Sequence, residues 1–307
     1  MVLVSDDRRA TPGTGELPPA LRHGVEGRGD RGRRHPWRRI VIAIGAVAAL
    51  VLASIAYAGL RYELRPHPGA KSVGSAVKSF HDSAPDAGAG RGGAYALPAA
   101  GVYTLRGQGD EHISFPPNSQ RDGAAMPGTV TSLNGDCWRW RIDYNVAHSE
   151  EFVFCTGRAG LFQPTDINSQ SWNFGVTTIS NTARITCPAS TVVLPARPTP
   201  GQTWQWSCPE TNTSIGGKSV STTTARIVGD DTVAVGGTPV AAVSEVQRTT
   251  VTGVQNGTVT EDWWFSRTSG LALRVERAIT IHTTSPLGVI TYTEDGSWQL
   301  SSLTPRQ

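Results

Sequence analysis

Residues 40–60 read IVIAIGAVAALVLASIAYAGL, 21 consecutive residues without a charge. As a helix such a run spans about 31 Å, the thickness of a bilayer's hydrocarbon core. A helix buried in a soluble protein is rarely apolar on every face for so long. The run therefore predicts a transmembrane helix, and it divides the chain into a part before the membrane and a part beyond it. Residues 1–39 carry nine Arg (Arg8, Arg9, Arg22, Arg28, Arg31, Arg33, Arg34, Arg38, Arg39) against five acids, a net +4. The whole chain is +3, so the rest is −1. Basic residues flanking an apolar helix stay on the cytoplasmic side. This predicts a cytoplasmic N-terminus and export of the 247 residues after Leu60.

The apolar run has two possible fates. It is either kept as a single-pass anchor, or cut as a signal peptide near Ala58, where Ala56-Tyr57-Ala58 fits a small-x-small site. The run exceeds the 7–15 residues of a signal-peptide core, which favours the anchor. Arg38-Arg39 has flanks that fit a twin-Arg signal poorly. No cysteine follows the run closely, which excludes a bacterial lipid anchor on this chain. Residues 1–39, rich in Arg, Gly and Pro, read as a disordered basic cytoplasmic tail. The positive-flank role accounts for its charge, so no nucleic-acid partner is expected. The expected partner is the cytoplasmic membrane, with a lipid, a glycan or an envelope protein as candidate ligands.

Residues 61–96 form a linker rich in Gly, Ala, Pro and Ser. Val73, Ala76, Val77 and Phe80 recur at helical spacing, which fits a short amphipathic helix around 70–81 and equally a solvated linker turn. A helix would lie on the membrane or fold back onto the exported domain. Two motif matches in the linker fail on context. Gly88–Gly93 fits GxGxxG without a preceding strand or a following helix. Ser75–Lys78 fits SxxK without its S-D-N and K-T-G companions.

From Leu97 on, short runs rich in Val, Thr, Ile, Trp and Tyr alternate with Gly, Asn, Asp and Pro. The predicted strands are Val102–Arg106, Cys137–Tyr144, Glu151–Cys155, Thr203–Cys208, Val220–Val228, Thr232–Val235, Val240–Val251, Thr258–Ser266, Leu271–Thr283 and Val289–Leu303. No βαβ alternation occurs, so the fold class is mainly β. The expectation is a twisted antiparallel meander or half-barrel exterior domain over 97–307, with two lobes hinged near 195–201. Gly229-Asp230-Asp231, Asn256-Gly257, Ser269-Gly270, Ser285-Pro286 and Asp295-Gly296 read as turns. Strands this long tend to curl around a helix, a partner sheet or an apolar ligand.

One hairpin can be read in register. Pairing residues whose numbers sum to 292 sets Trp138 opposite Phe154, Trp140 opposite Phe152, Arg141 opposite Glu151 and Cys137 opposite Cys155. A one-residue slip destroys all four matches. Four cysteines in an exported domain read as two disulfides with three connectivities. The register selects Cys137–Cys155 and leaves Cys187–Cys208. No CxxC pair or Cys/His cluster exists, so no metal site is expected.

Residues 200–304 carry Pro200-Gly201 and Trp204, then Gly236-Gly237 within Val233–Val243. Trp263-Trp264-Phe265-Ser266, Gly270-Leu271 and Arg274-Val275-Glu276 follow. This pattern resembles the half-barrel sheets of lipoprotein-carrier-like folds, in which a curved sheet cups a lipid or a protein segment. The exported part also resembles actinobacterial membrane-anchored proteins of unknown function. Only 3 Lys against 25 Arg fits a GC-rich genome. The resemblance implies a lipid-cupping role and transfers no catalytic residue.

No catalytic residue, cofactor or enzymatic activity is expected. His67, His81, His112, His148 and His282 form no paired-ligand spacing, and there is no G-x-S-x-G elbow. His148 is read as exposed in a turn at 145–150. The acidic pairs Asp110-Glu111, Glu150-Glu151, Asp230-Asp231, Glu261-Asp262 and Glu294-Asp295 are read as solvated charges at turns and strand ends. Eight of nine Trp lie beyond the apolar run. Trp204, Trp206, Trp263 and Trp264 are the candidate binding aromatics. Trp263 and Trp264, being adjacent on a strand, must face opposite ways. The leading functional reading is a non-enzymatic, membrane-anchored cell-envelope binding module for a lipid or acyl chain. A carbohydrate-binding or structural envelope protein is the alternative, and a secreted hydrolase the third.

Overall fold

The structure is a computed structural model that describes residues 36–83, 93–285 and 288–307. The predicted basic tail up to residue 35, and most of the Gly88–Gly93 match, lie outside the described residues. The chain divides into two units, Met1–Ala53 and Ser54–Gln307. Helix α1 (Pro36–Glu63) contains the whole apolar run. Among the described residues it alone is long and apolar enough to cross a membrane. Ile44, Val47, Leu50, Leu52 and Ile55 on it are each more than 60 % exposed. Helix α2 (Val73–Ser83) is the helical form of the amphipathic segment. Ser72 caps it, its hydroxyl oxygen accepting from the Ser75 amide at 3.0 Å. Its apolar stripe, Ala76 and Phe80, folds back onto Val102. Ser75 and Lys78 of the SxxK match lie on its exposed face.

Fourteen strands follow: β1 (Gly101–Ser114), β2 (Pro117–Arg121), β3 (Ala125–Ser132), β4 (Cys137–Asp143), β5 (His148–Gly157), β6 (Gly160–Asn173), β7 (Thr178–Thr186), β8 (Val192–Pro195), β9 (Thr203–Asn212), β10 (Lys218–Val235), β11 (Thr238–Gly253), β12 (Gln255–Ser266), β13 (Ala272–Ser285) and β14 (Gly288–Leu300). Twelve of them form an antiparallel barrel, with β2 and β8 as short side strands on β1 and β6. The sheet goes beyond a half-barrel because β14 returns to β1, Leu105 pairing with Leu300 and Ile113 with Tyr292. Closure leaves the twelve-strand ring without an open edge. Glycine permits this seam. A side chain at Gly107 would strike the Ser297 carbonyl and the Trp298 Cα of the facing strand. Segment 195–201 links β8 to β9, and β7 and β9 on its two sides pair directly within the one ring.

The hairpin register read from sequence is present residue for residue: Cys137↔Cys155, Trp138↔Phe154, Trp140↔Phe152 and Arg141↔Glu151. Both disulfides form as expected, Cys137–Cys155 and Cys187–Cys208. Three predicted turns are corrected. Gly229-Asp230-Asp231 is a bulge inside one continuous β10, where the register shifts between Ile227 and Gly229. Asn256-Gly257 lies in β12, and the reversal comes earlier, at Gly253-Val254. Asp295-Gly296 lies within β14. The tight hairpin between β10 and β11 is Gly236-Gly237, with φ of 59° and 85°. Both values are positive, the geometry of a type I′ turn that glycine adopts without strain.

Candidate functional site

Every strand contributes alternate side chains to the barrel interior, and reading along the strands shows three layers. The first is an apolar core at one end: Trp138 and Trp140 of β4, Phe152 and Phe154 of β5, Trp263 and Phe265 of β12 and Trp298 of β14. The Trp263 ring meets Phe152 edge-on at 5.7 Å and Trp298 at 6.1 Å. The segment before β1 covers this end, with the Tyr95 hydroxyl donating to the Pro195 carbonyl at 2.6 Å.

One or two inward positions further along the same strands, the interior turns polar. Glu111 (β1), His148 and Glu150 (β5), Arg277 (β13) and Glu294 (β14) are all buried. Arg277 donates to Glu150 at 2.5 Å, pairs with Glu294, and lies 4.4 Å over the Tyr144 ring. Tyr144 donates to Glu150 at 2.7 Å and Tyr292 to Glu294 at 2.5 Å. His148 Nδ1 meets Glu111 Oε1 at 2.8 Å, while Gln120 donates to Glu111 Oε2 at 2.9 Å. Burial pushes the His148 imidazole down, but the adjacent Glu111 carboxylate outweighs it and holds the group at about 9. Burial likewise opposes ionisation of Glu111, yet the His148 charge and its hydrogen bonds bring this carboxyl below its usual 4.5.

These observations correct two expectations. His148 is buried and ion-paired, because the turn at 145–147 is tight enough for β5 to start at His148 and aim it inward. All five acidic pairs lie within strands. Strand alternation sends Glu111, Glu150, Glu261 and Glu294 inward, and their neighbours Asp110, Glu151, Asp262 and Asp295 to the other face. Only Asp230-Asp231 is an exposed pair, at the β10 bulge.

The third layer is a cavity of about 570 Å³ opening at the far end, within the usual range for a small-molecule site. Its upper wall is largely aliphatic and aromatic, including Trp172, Ile179, Ile279, Ile281 and Ile290. Its floor carries the carboxyls of Glu150, Asp166, Glu210 and Glu261. Burial raises Glu261 to about 7, aided by the Glu150 charge. It also raises Asp166 well above the usual carboxylate range, again with Glu150 and with Glu261 contributing. Around the opening, Phe115, Val176, Ile179, Ile215, Val254 and Val289 are 36–61 % exposed on the connecting loops and strand ends. The last turn of α1 and the residues just after it pack at this rim: Arg61 lies against Gly175, Tyr62 donates to the Pro117 carbonyl, and Arg65 donates to Asn118 at 3.2 Å.

The four candidate tryptophans separate. Trp206 and Trp263 line the cavity. Trp204 stacks on Trp206 at 6.3 Å and donates to the Val192 carbonyl at 2.9 Å. Trp264 faces outward, as the alternation required, under the Arg274 guanidinium at 4.5 Å and donating to Asp231 at 2.7 Å. Ligand atoms of Glu111, Asp122 and His148 lie within 4.8 Å of one another, a donor set able to hold a divalent cation. Both Glu111 oxygens are already used by His148 and Gln120, so the set reads as a hydrogen-bonded network. Sequence reasoning missed Asp166, Glu210, Arg277 and Tyr292. The one available signal was strand parity, which places Glu261 on the same face as Trp263 and Arg277 on the same face as Val275.

No family model matches the chain, and no curated protein does. Among solved structures, the hypothetical lipoprotein YmcC from Escherichia coli K12 is similar over 75 % of this chain and 98 % of its own, at 14 % identity and a TM-score of 0.33.

Proposed function

We propose that the protein is a non-enzymatic, membrane-anchored envelope module whose barrel takes up a single-chain amphiphile, a lipid or acyl chain, from the bilayer to which α1 tethers it. The observation that carries this reading is the mouth. An apolar-walled cavity opens through a ring of exposed apolar side chains, and the residues that directly follow the apolar run, Arg61 to Arg65, pack on that ring. Exposed apolar side chains gathered at one rim mark a contact surface. Here they would meet the headgroup region beside the helix exit, so a chain could pass from bilayer to lumen with little exposure to water.

The test is native mass spectrometry of the full chain extracted in mild detergent, compared with the denatured chain. A co-purifying or added acyl-chain mass is expected on the native protein. It should be absent in Ile281→Trp, which fills the lumen. A clean mass that retains no added single-chain amphiphile would overturn the reading. One observation favours a second reading, hydrolysis: Glu150, held by Arg277, and Glu261, with its raised pKa, line the same cavity. A general acid paired with a second carboxyl across a cleft is the arrangement used in glycoside cleavage. Turnover of a glycoside that is lost in Glu261→Gln would select it.

A further inference from the structure

The floor of the lumen is unbalanced in charge. Among the described residues lining the cavity there are four carboxyls, Glu150, Asp166, Glu210 and Glu261, and no Lys, Arg or His. Arg277 lies behind this surface and is committed to Glu150 and Glu294. Asp166 is 9 % exposed, it lines the cavity, and its Oδ1 has no hydrogen-bond partner. A buried polar atom without a partner is unfavourable, the more so when charged. Glu210 accepts only from Ser221, at 3.1 Å, and Glu261 from Trp263, at 3.3 Å. Three carboxyls from β6, β9 and β12 thus line one cavity with lone pairs to spare, and the charges of Glu210 and Glu261 both reach Asp166.

We propose that the amphiphile held in the lumen is cationic, with a primary ammonium seated among Asp166, Glu210 and Glu261 and its alkyl chain running past Ile279, Ile281 and Trp172 to the mouth. The proposal rests on the amphiphile reading and adds the head group. An ammonium brings three N–H donors and one positive charge, matching three under-used acceptors. A carboxylate or phosphate head would meet like charges, because Arg277 behind them is committed to Glu150 and Glu294. An uncharged hydroxyl head would fill the space without neutralising it.

The geometry also sets a pH dependence. The charged groups acting on Asp166 are Glu150 of β5, Glu210 of β9, Glu261 of β12 and Arg277 of β13. Those acting on Glu261 are Glu150, Arg277 and Glu294. An ammonium binds the ionised carboxylates, so its uptake expels protons from groups that hold them when the site is unliganded. Affinity for it should therefore rise with pH as Glu261 ionises near 7.

The experiment titrates the full chain in mild detergent with dodecylamine, dodecanol and dodecanoate. Bound ligands are counted by native mass spectrometry at pH 5.5 and pH 8. An alkylamine stays protonated at both, its pKa lying near that of Lys, about 10.4. The expected result is amine binding about tenfold or more tighter than alcohol at pH 8, the range of a charge-assisted hydrogen bond. The preference should shrink at pH 5.5 and be lost in Asp166→Asn/Glu261→Gln, while alcohol binding persists and so reports an intact lumen. Equal binding of amine and alcohol, or a preference for dodecanoate, overturns the cationic head and leaves the amphiphile reading standing. Failure of all three ligands to bind overturns both.

Discussion

Replacing Arg277 with Met removes the guanidinium that joins Glu150 to Glu294 in the buried polar layer. The guanidinium side chain is 3 % exposed and pairs with Glu150 and Glu294, themselves 10 % and 0 % exposed. Methionine fills much of the volume, so the lost packing is small and the loss is electrostatic. Removing one partner of a buried ion pair costs about 3–5 kcal/mol, because the other charge is left uncompensated. For a domain of this size that corresponds to a drop in Tm of roughly 6–20 °C. The loss must depend on pH. Two buried carboxylates without their cation are relieved by protonation, so the variant should approach wild type as pH falls toward about 4.5. It should fall furthest behind above pH 7. Thermal unfolding of the full chain in nanodiscs, followed by tryptophan fluorescence at pH 4.5, 6 and 8, measures both features. A cycle with Glu294→Gln tests the pairing itself, since the double variant should recover part of the loss. A destabilisation below about 1 kcal/mol, or one equal at all three pH values, would refute the claim that Arg277 compensates buried charge.

Three further outcomes follow from the same structure. Reducing Cys137–Cys155 or Cys187–Cys208, which close loops with separations of 18 and 21 residues, should each destabilise by about 3 kcal/mol in the chain-entropy account, measured by urea unfolding with and without reductant. Gly107→Ala should destabilise by about 3 kcal/mol or more, since its Cβ meets backbone of β14 at the seam, and it should raise amide exchange in β1 and β14 above that in β10 and β11. His148→Gln should lose most stability between pH 4.5 and 6.5. The imidazole's contribution is whole below its usual 6.5 and fades as pH rises through about 9, while that of Glu111 is whole above 4.5 and fades in acid. A His148→Gln deficit that grows above pH 9 would contradict the pairing.

How much of this was legible in the sequence depended on which face of a strand carried the signal. The β4–β5 hairpin was readable to the residue because Trp138, Trp140, Phe152 and Phe154 alternate with polar partners on an apolar core. The strands missed outright were β2, β3, β6, β7 and β8. In β6 the inward residues are Asp166, Asn168 and Gln170, so the face that should have been apolar is polar and alternation disappears. In β7 both faces are exposed or half-exposed, because its inward face borders the open cavity. The same fact hid the site. Glu111, Glu150, Glu261 and Glu294 each sit beside another acid, and an acidic pair in a single sequence looks like a solvated turn. Only closure of the ring through Leu105 and Leu300 brings these residues, from strands up to 183 positions apart, into the polar layer and the cavity floor beside it. Gly257 misled for a related reason, since a side chain there would strike the Thr280 carbonyl of β13, and the residue reads as a reversal.

The layered interior bears on function. Apolar replacements at the cavity floor would stabilise a barrel that had no other task, because burial raises Glu261 to about 7 and Asp122, beside the Glu111 network, also to about 7. A carboxyl whose folded pKa lies above its unfolded one withdraws stability as pH rises between the two values, here from about 4 to 7, and the loss is complete above the upper value. The gap at Glu261 corresponds to on the order of 3 kcal/mol. At neutral pH these carboxyls therefore withdraw stability from the fold, held against their preference around a space walled above by isoleucine. A ligand that brought a positive charge to that floor would reverse the penalty, and binding and folding would then draw on the same groups.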